Sequence, residues 1–259
     1  MIDEKITYFS EALYYAERNR KQIPPLTDTD HLLTLDDAYA IQLANVHRVV
    51  AEGYRISGKK IGLTSPGIQQ QLGVNEPDYG HLFAAMECQN GEVNTAALIQ
   101  PKIEGELAFV LKKDLAGGNV TVADVHSATD YVTAAFEIVD SRVMDWKIRL
   151  VDTVSDNASS GRYILGTKKL HLNEINPSEV TMKLYKNGKL LQEGAGSAVL
   201  GDPCKSVAWL ANRLWDYGVT LKKGEVILSG AFSAAPQAAS GDSFEAIFTD
   251  LGSVKAKFI

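Results

Sequence analysis

PKIEGELAFV, residues 101–110, is the stretch that decides the fold, because polar and apolar side chains alternate along it. Successive side chains of a β-strand point to opposite faces, so residues two apart share a face. Glu104 and Glu106 therefore point in the same direction. The apolar residues of the other face are expected to meet a core: Ile103, Leu107 and Phe109. Gly105 lies between the two glutamates, where a missing side chain lets another part of the protein approach closely.

Further strand-like runs lie on both sides of this stretch. They are KKIGLTS (59–65), YVTAAFEIVD (131–140), VTMKLYK (180–186), EVILSG (225–230), FEAIF (244–248) and VKAKFI (254–259). An Asn187-Gly188 pair stands between two lysines and two strand-like runs, which is typical of a type I′ hairpin. The central and C-terminal parts of the chain are therefore expected to be rich in β-structure.

The N-terminal part has a helical pattern. Apolar residues recur at helical spacing from Ile6 to Ala16. Thr34 and Asp37 form a T-x-x-D capping box, which predicts a helix that stops at Gly53. Two more helices are predicted within the β-rich region, beginning at Thr121 and at Ser206.

These elements place the chain in the α+β class. A regular alternation of strands and helices is missing from the pattern, which argues against a doubly wound parallel sheet. The chain of 259 residues is long enough to bury a sizeable core. The expected organisation is an N-terminal helical segment, residues 1–55, packed on one strand-dominated domain, residues 56–259.

Composition argues against several classes of function. The formal net charge is −6 and no Lys/Arg stripe is visible, so nucleic acid is not an expected partner. No apolar run of about 18 residues and no signal-peptide core is found, so we expect neither a membrane span nor export. Cys88 and Cys204 have no CxxC neighbour, which fits a reducing cytoplasm.

Three glutamates are candidate metal ligands. Glu137 lies in the apolar run 134–139, where a lone carboxylate is costly unless it is paired or metal-bound. Together with Glu104 and Glu106 it would suit a hard cation such as Mg²⁺, which prefers oxygen ligands. The structural alternative is a solvated strand face and a salt bridge from Glu137 to Arg142. The five histidines are scattered and show no zinc-binding spacing.

Lys60 and Asp78 are the other candidates for chemistry. Lys60 lies among glycines and apolar residues, and could orient an anionic substrate or transfer protons. Its structural alternative is an exposed lysine in a basic pair. Asp78 belongs to the turn-like run NEPDYG (75–80), where the default role is to form the turn. It becomes a catalytic candidate only if it lies near the glutamates.

Eight segments occur in an order that resembles one known family. They are GKKIGLTS (58–65), EPDYG (76–80), PKIEGELAFVLKKDL (101–115), FEIVDSR followed by DWK (136–147), TVSDNASSG (153–161), EGAGSAVLG (193–201), VAWLAN (207–212) and EVILSG (225–230). Together they resemble the 2-hydroxypentadienoate (2-keto-4-pentenoate) hydratases of bacterial meta-cleavage pathways, within the fumarylacetoacetate-hydrolase-like group. The resemblance extends from about residue 35 to the end of the chain.

The resemblance implies a β-rich mixed-sheet roll of the fumarylacetoacetate-hydrolase C-terminal-domain type, an Mg²⁺ or Mn²⁺ ion and a homo-oligomer. It assigns metal ligation to Glu104, Glu106 and Glu137. It also implies that Lys60 binds substrate and takes part in catalysis, and that Asp78 is an acid or base. The implied reaction hydrates 2-hydroxypenta-2,4-dienoate (2-oxopent-4-enoate) to 4-hydroxy-2-oxopentanoate, in aromatic catabolism. A complex with another enzyme of the pathway is a further expectation.

Two other hypotheses stay open. The sister 4-oxalocrotonate decarboxylases also resemble the chain, and Lys102 and Arg162 are more typical of them. Asp78 and the segments KKIGLTS, VLKKDL and VAWLAN fit the hydratases instead. Hydrolytic C–C cleavage on the same scaffold would need a His-Glu pair that the sequence does not reveal. The last hypothesis is a non-catalytic partner subunit, which would have no need of the five candidate residues.

Overall fold

The computed structural model describes residues 4–259, apart from the side chains of Gln71 and Leu72. The α-helices in this part of the chain are α1 (Glu4–Asn19), α2 (Leu26–Thr29), α3 (Leu35–Ala51), α4 (Pro66–Leu72), α5 (Val122–Ala128), α6 (Leu150–Ser155) and α7 (Pro203–Trp215). Within residues 4–259 no helix has the length and hydropathy needed to cross a membrane. The first three residues of the expected N-terminal segment lie outside the described residues.

The strands form two sheets. They are β1 (Ile56–Gly62), β2 (Asp78–Phe83), β3 (Glu92–Val93), β4 (Lys102–Leu111), β5 (Thr129–Val139), β6 (Ser160–Leu165), β7 (Thr181–Lys186), β8 (Lys189–Ala195), β9 (Val226–Leu228), β10 (Ser243–Phe248) and β11 (Gly252–Phe258). One sheet has the order β2-β1-β9-β4-β5-β6, and the other has the order β3-β11-β10-β7-β8. Parallel pairs, β1 with β9 and β3 with β11, occur among antiparallel ones, so the sheets are mixed.

The six-stranded sheet curls until its two edge strands approach each other. The backbone N–H of Cys88, just after β2, donates to the carbonyl of Tyr163 in β6 at 2.8 Å. The side chain of Asn157 donates to the backbone carbonyl of His81 in β2 and accepts from its N–H. These contacts close the roll, so that one sheet face becomes a concave interior. The expected α+β, mixed-sheet roll is confirmed.

The other face of the curled sheet packs on the five-stranded sheet. Side chains of β4 and β5 contribute to this core, including Ile103, Leu107, Phe109, Phe136 and Ile138. Gly105 faces the same way, and a Cβ placed on it would overlap Met182 Sδ of the second sheet. The two faces expected for β4 are therefore confirmed, and Gly105 allows the close approach of the sheets.

The helices α1 and α3 pack on the roll through a smaller core. It is formed by Ile6, Phe9, Leu13, Leu26, Leu33, Ile41 and Val143. The predicted capping box is present, because Thr34 accepts from the Asp37 N–H while the Asp37 carboxylate accepts from the Thr34 N–H. A buried side chain of α3, Gln42, donates to the carbonyls of Tyr79 and Val154, and so fixes this helix against β2 and α6.

Two sequence-based boundaries differ from the structure. The helix expected to begin at Ser206 begins at Pro203, because Asp202 caps the Cys204 N–H and proline is tolerated at the first helical position. The run expected to be a turn around Asp78 ends earlier, and Asp78 opens strand β2. The hairpin between β7 and β8 is confirmed, with Asn187 and Gly188 at φ of 51° and 77°.

Candidate active site

Three glutamates meet on the concave face of the curled sheet. Glu104 of β4 is the cross-strand partner of Glu137 of β5, and Glu106 follows two residues along β4 on the same face. One carboxylate oxygen from each of the three lies within 4.8 Å of the other two. The strand register thus brings together the three candidate ligands that lie on two separate parts of the sequence.

The cluster has unsatisfied hydrogen-bonding capacity. Glu106 and Glu137 are fully buried, whereas Glu104 is partly exposed. One oxygen of Glu106 accepts from the Gly230 N–H at 2.8 Å, but its other oxygen and Oε2 of Glu137 accept no hydrogen bond from the described residues. Buried polar atoms without partners are rare in folded proteins. Convergent carboxylate oxygens of this kind fit a hard divalent cation such as Mg²⁺.

Electrostatics favour the same interpretation. Burial raises the pKa of Glu137 to about 7, with Lys60 acting in the opposite direction and Glu104 adding to the rise. Burial and the charges of Glu137 and Glu104 raise the pKa of Glu106 well above its ordinary value. Without a cation, these groups therefore retain protons near neutral pH. A bound divalent cation would favour the ionised carboxylates by offsetting their repulsion.

Lys60 reaches the cluster from strand β1. Its Nζ lies 3.1 Å from Glu137 Oε1, and its side chain is 4% exposed. Burial lowers the pKa of Lys60, but the surrounding carboxylates, with Glu137 the largest, raise it above its ordinary value. The lysine therefore remains charged, and when all three carboxylates are ionised it compensates only one of their three charges.

The neighbouring lysine has a different position. Lys59 is equally buried, but it points to the opposite face of β1 and pairs with Glu225 at 3.2 Å. The two lysines cannot be distinguished by residue type, since they are adjacent in the sequence and both lie in the same strand. The register decides that only Lys60 faces the carboxylate cluster.

Asp78 joins the site from the edge strand β2. It is the cross-strand partner of Gly62, and a Cβ on that glycine would overlap Asp78 Oδ1 and lie 3.4 Å from Lys60 Nζ. Oδ1 is buried and accepts no hydrogen bond from the described residues. Burial raises the pKa of Asp78, although Lys60 and the Gly62 amide act in the opposite direction. Asp78 therefore lies near the glutamates, which was the condition for treating it as a catalytic candidate.

Sequence reasoning missed two backbone features of the site. Gly230 adopts a φ of +117°, which favours glycine, and this conformation presents its N–H to Glu106. Asn157, Ala158 and Ser159 all have φ near +50°, a left-handed turn that non-glycine residues rarely adopt. Both lie in segments quoted above, EVILSG and TVSDNASSG, but neither run contains a pattern from which a conformation of this kind follows.

The structure shows the position of each residue on which an alternative hypothesis depended. Arg142 does not pair with Glu137; its guanidinium binds Asp156 and the carbonyls of Asp140, Asp156 and Ser160. Lys102 lies over the Trp146 ring, 4.2 Å from its centroid. Arg162 is the cross-strand partner of Ile138, so it faces away from Glu137. Within the described residues, no histidine belongs to a group that could hold a metal.

Comparison with known proteins gives consistent matches. The family described as fumarylacetoacetate (FAA) hydrolase C-terminal matches residues 84–259. A 2-hydroxyhexa-2,4-dienoate hydratase of Comamonas testosteroni is 44% identical over 96% of this chain and 95% of its own. A 2-keto-4-pentenoate hydratase of Paraburkholderia xenovorans (strain LB400) is 45% identical over 96% of this chain and 93% of its own.

A solved structure is also similar over almost the whole chain. It is a 4-oxalocrotonate decarboxylase from Pseudomonas putida G7, complexed with magnesium and adipate. The TM-score is 0.96 and the sequences are 38% identical, over 99% of this chain and 98% of that one.

Proposed function

The chain belongs to the fumarylacetoacetate hydrolase C-terminal family, and we propose that it is a 2-hydroxypenta-2,4-dienoate hydratase. The reaction adds water across the C4–C5 double bond of the dienoate and gives 4-hydroxy-2-oxopentanoate. The observation that carries the proposal is a buried carboxylic acid with an unpartnered oxygen, Asp78, beside Lys60 and the three glutamates. The enzyme is therefore a carbon–oxygen lyase, as the names of its relatives indicate.

The site holds a divalent cation, for which we propose Mg²⁺ or Mn²⁺ with Glu104, Glu106 and Glu137 as its protein ligands. The unpartnered oxygens of Glu106 and Glu137 support this ligand set. When bound, the cation would polarise the 2-oxygen of the substrate and offset the charge of its carboxylate. Replacement of any one glutamate by Gln is expected to weaken metal binding while the fold is retained.

Lys60 and Asp78 are proposed to act on the two ends of the substrate. The charged Lys60 would bind the substrate carboxylate, since its pKa is held above the ordinary value by the surrounding acids. A proton added at C5, with loss of the enol proton, gives the 2-oxo-3-enoate. The oxygen of water then attaches to C4 while Asp78 accepts a water proton, and protonation at C3 completes the product.

The second candidate function is decarboxylation of 2-oxohex-3-enedioate on the same scaffold. The solved decarboxylase with a TM-score of 0.96 favours it. Against it stands Asp78, because the second carboxylate of that substrate would lie near the far end of the site. An ionised Asp78 would repel that second carboxylate. Asp78 would therefore have to stay protonated throughout turnover of the dicarboxylate.

A direct comparison of the two reactions tests the proposal. Purified protein with Mg²⁺ should consume the dienoate, followed by its ultraviolet absorbance, faster than it releases CO₂ from 2-oxohex-3-enedioate. Asp78→Asn should lower hydration by about a hundredfold, the usual scale for loss of an acid or base, with metal affinity nearly unchanged. Faster CO₂ release by the parent protein, or parental hydration by Asp78→Asn, would rule the assignment out.

Assembly, organisation and location remain proposals of the same kind. We propose a homo-oligomer, supported by an exposed Trp215 and Tyr217 at the end of α7, whereas Leu210 and Leu214 of that helix are buried within the chain. Sedimentation as a monomer at micromolar concentration would contradict it. The division into a helical segment (1–55) and a catalytic domain (56–259), and a cytoplasmic location, are kept as expectations.

A further inference from the structure

A second cavity lies outside the curled sheet. Its volume is about 390 Å³, and it is enclosed by helices α1 and α3, the residues after β2 and the segment 155–160. This volume falls in the range of small-molecule sites, roughly 300–1,000 Å³. None of the five candidate active-site residues lines it.

The segment 155–160 separates this cavity from the candidate active site. Asn157 and Ser160 both line the cavity. The carbonyl of Asn157 and the hydroxyl of Ser160 also pack against Gly80, on the β2 face that carries Asp78. The cavity therefore borders the turn that packs on the Asp78-bearing strand, but its lining shares none of the five candidate residues.

The cavity lining is positively charged, although the whole chain is negative. Four arginines line it against two carboxylates, and a third carboxylate, Glu52, pairs with Arg18, which leaves a local surplus of one positive charge in a protein with a formal net charge of −6: Arg18, Arg20, Arg142 and Arg162 against Glu17, Asp156 and Glu52. A surplus of this kind concentrates anions in a low-dielectric pocket.

Two of these arginines are already engaged by acids. Arg142 binds Asp156, and Arg18 binds Glu52. The other two, Arg20 directly after α1 and Arg162 in β6, form no ion pair with the described residues 4–259. The Arg162 guanidinium donates to the Gly161 carbonyl at 2.8 Å. Their guanidinium groups have the geometry that binds a carboxylate through two N–H groups.

The other residues of the cavity wall favour an organic anion over an inorganic one. Ser155 is 1% exposed, and its hydroxyl has no hydrogen-bond partner among the described residues, although it lies at the cavity wall. Much of the rest of the wall is apolar: Leu13, Val46, Val49, Phe83, Ala85 and Met86. An inorganic anion would leave this apolar surface without a partner, whereas a hydrocarbon body would cover it.

We propose that this cavity is a second binding site, which takes a small organic carboxylate with a short hydrocarbon body. Arg20 and Arg162 bind the carboxylate, the Ser155 hydroxyl donates a hydrogen bond to it, and the hydrocarbon body packs on the apolar wall. The site does not depend on the metal or on the reaction proposed above.

Calorimetric titration of the metal-free, full-length protein tests this. Hexanoate is the probe, acetate supplies the same carboxylate without the body, and inorganic phosphate supplies an anion of another class. Hexanoate should bind at one site per chain with a Kd at least tenfold below those of acetate and phosphate. The Arg20→Gln/Arg162→Gln double variant should bind hexanoate at least tenfold more weakly, with metal-dependent turnover unchanged.

Two single variants give the controls. Lys60→Gln removes the cation of the catalytic site and should leave hexanoate affinity within twofold of the parent. Arg149→Gln removes an exposed arginine outside the cavity and should do the same. Circular dichroism and thermal midpoints establish that each variant is folded. The proposal fails if phosphate binds as tightly as hexanoate, if the arginine double variant binds like the parent, if Lys60→Gln abolishes binding, or if the parent shows no saturable binding.

Discussion

Lowering the pH is expected to weaken metal binding by an amount set by Glu137. A proton and a divalent cation compete for this carboxylate, and burial raises its pKa to about 7. At pH 8 the group is mostly ionised, so the proton competes little. At pH 5.5 it is about 1.5 units below its pKa, and the apparent Kd for Mg²⁺ should be about 30-fold higher, or about 2 kcal/mol. Glu106, whose pKa is also raised, acts in the same direction.

The assay is calorimetric titration of Mg²⁺ into chelator-treated protein at several pH values between 5.5 and 8. Circular dichroism at each pH establishes that the fold is retained. Glu137→Gln is the informative variant, because it should bind Mg²⁺ more weakly at every pH and lose the part of the pH dependence that comes from Glu137. A change in Kd of less than about threefold across this range, in folded parent protein, would refute the argument from the buried carboxylate.

Three further outcomes are expected. The metal-free protein should become less stable as pH rises from about 4.5 to 7, because Glu137 loses its proton at lower pH in the unfolded chain than in the folded one. The loss due to Glu137 should be about 3 kcal/mol at most. Thermal midpoints measured with and without Mg²⁺ test this, and Mg²⁺ should remove most of the loss. Lys60→Met should lower turnover by about a hundredfold, whereas Lys59→Met, its matched control on the opposite face, should lower the thermal midpoint but retain kcat. Gly230→Ala should destabilise the fold by at least about 1–3 kcal/mol, because of its φ of +117° and because the added Cβ would overlap the Thr64 side chain. It should also weaken Mg²⁺ binding by withdrawing the amide from Glu106, and parental affinity would contradict this.

Local patterns were sufficient to predict the elements that carry the glutamates. The alternation in β4 determined which side chains face the second sheet, because successive side chains of a strand point to opposite faces and the large apolar residues all fall on one of them. The capping boxes at Thr34 and Thr121 located two helix starts, since both partners of each box lie within four residues of one another. These features depend on short-range geometry, so the sequence contains all that is needed to infer them.

Features that depend on distant parts of the chain could not be predicted in this way. Asp78 was assigned to a turn because proline and glycine dominate its neighbours, yet pairing with Gly62 makes it the first residue of an edge strand. The left-handed turn Asn157–Ser159 is held by Arg142, whose guanidinium binds the carbonyls on both sides of it. A conformation that local propensity disfavours is thus stabilised by an arginine that follows another strand.

The charge balance of the site bears on the choice between the two reactions. Three carboxylates and Lys60 leave a net charge of −2, which a divalent cation would neutralise. Burial raises the pKa of Asp78, so we infer that this acid can enter the cycle protonated, bring no charge of its own, and give its proton to the substrate before it accepts one from water. A monoanionic dienoate then adds one negative charge beside Lys60. A dicarboxylate would add a second one next to Asp78, whereas the further cation that reaches the cluster, Lys102, acts on Glu104 from over the Trp146 ring. Beside this second carboxylate Asp78 would be held in its protonated, neutral form. It could then not act as the base that accepts a proton from water. The electrostatics therefore favour hydration of a monoanion over decarboxylation of a dianion.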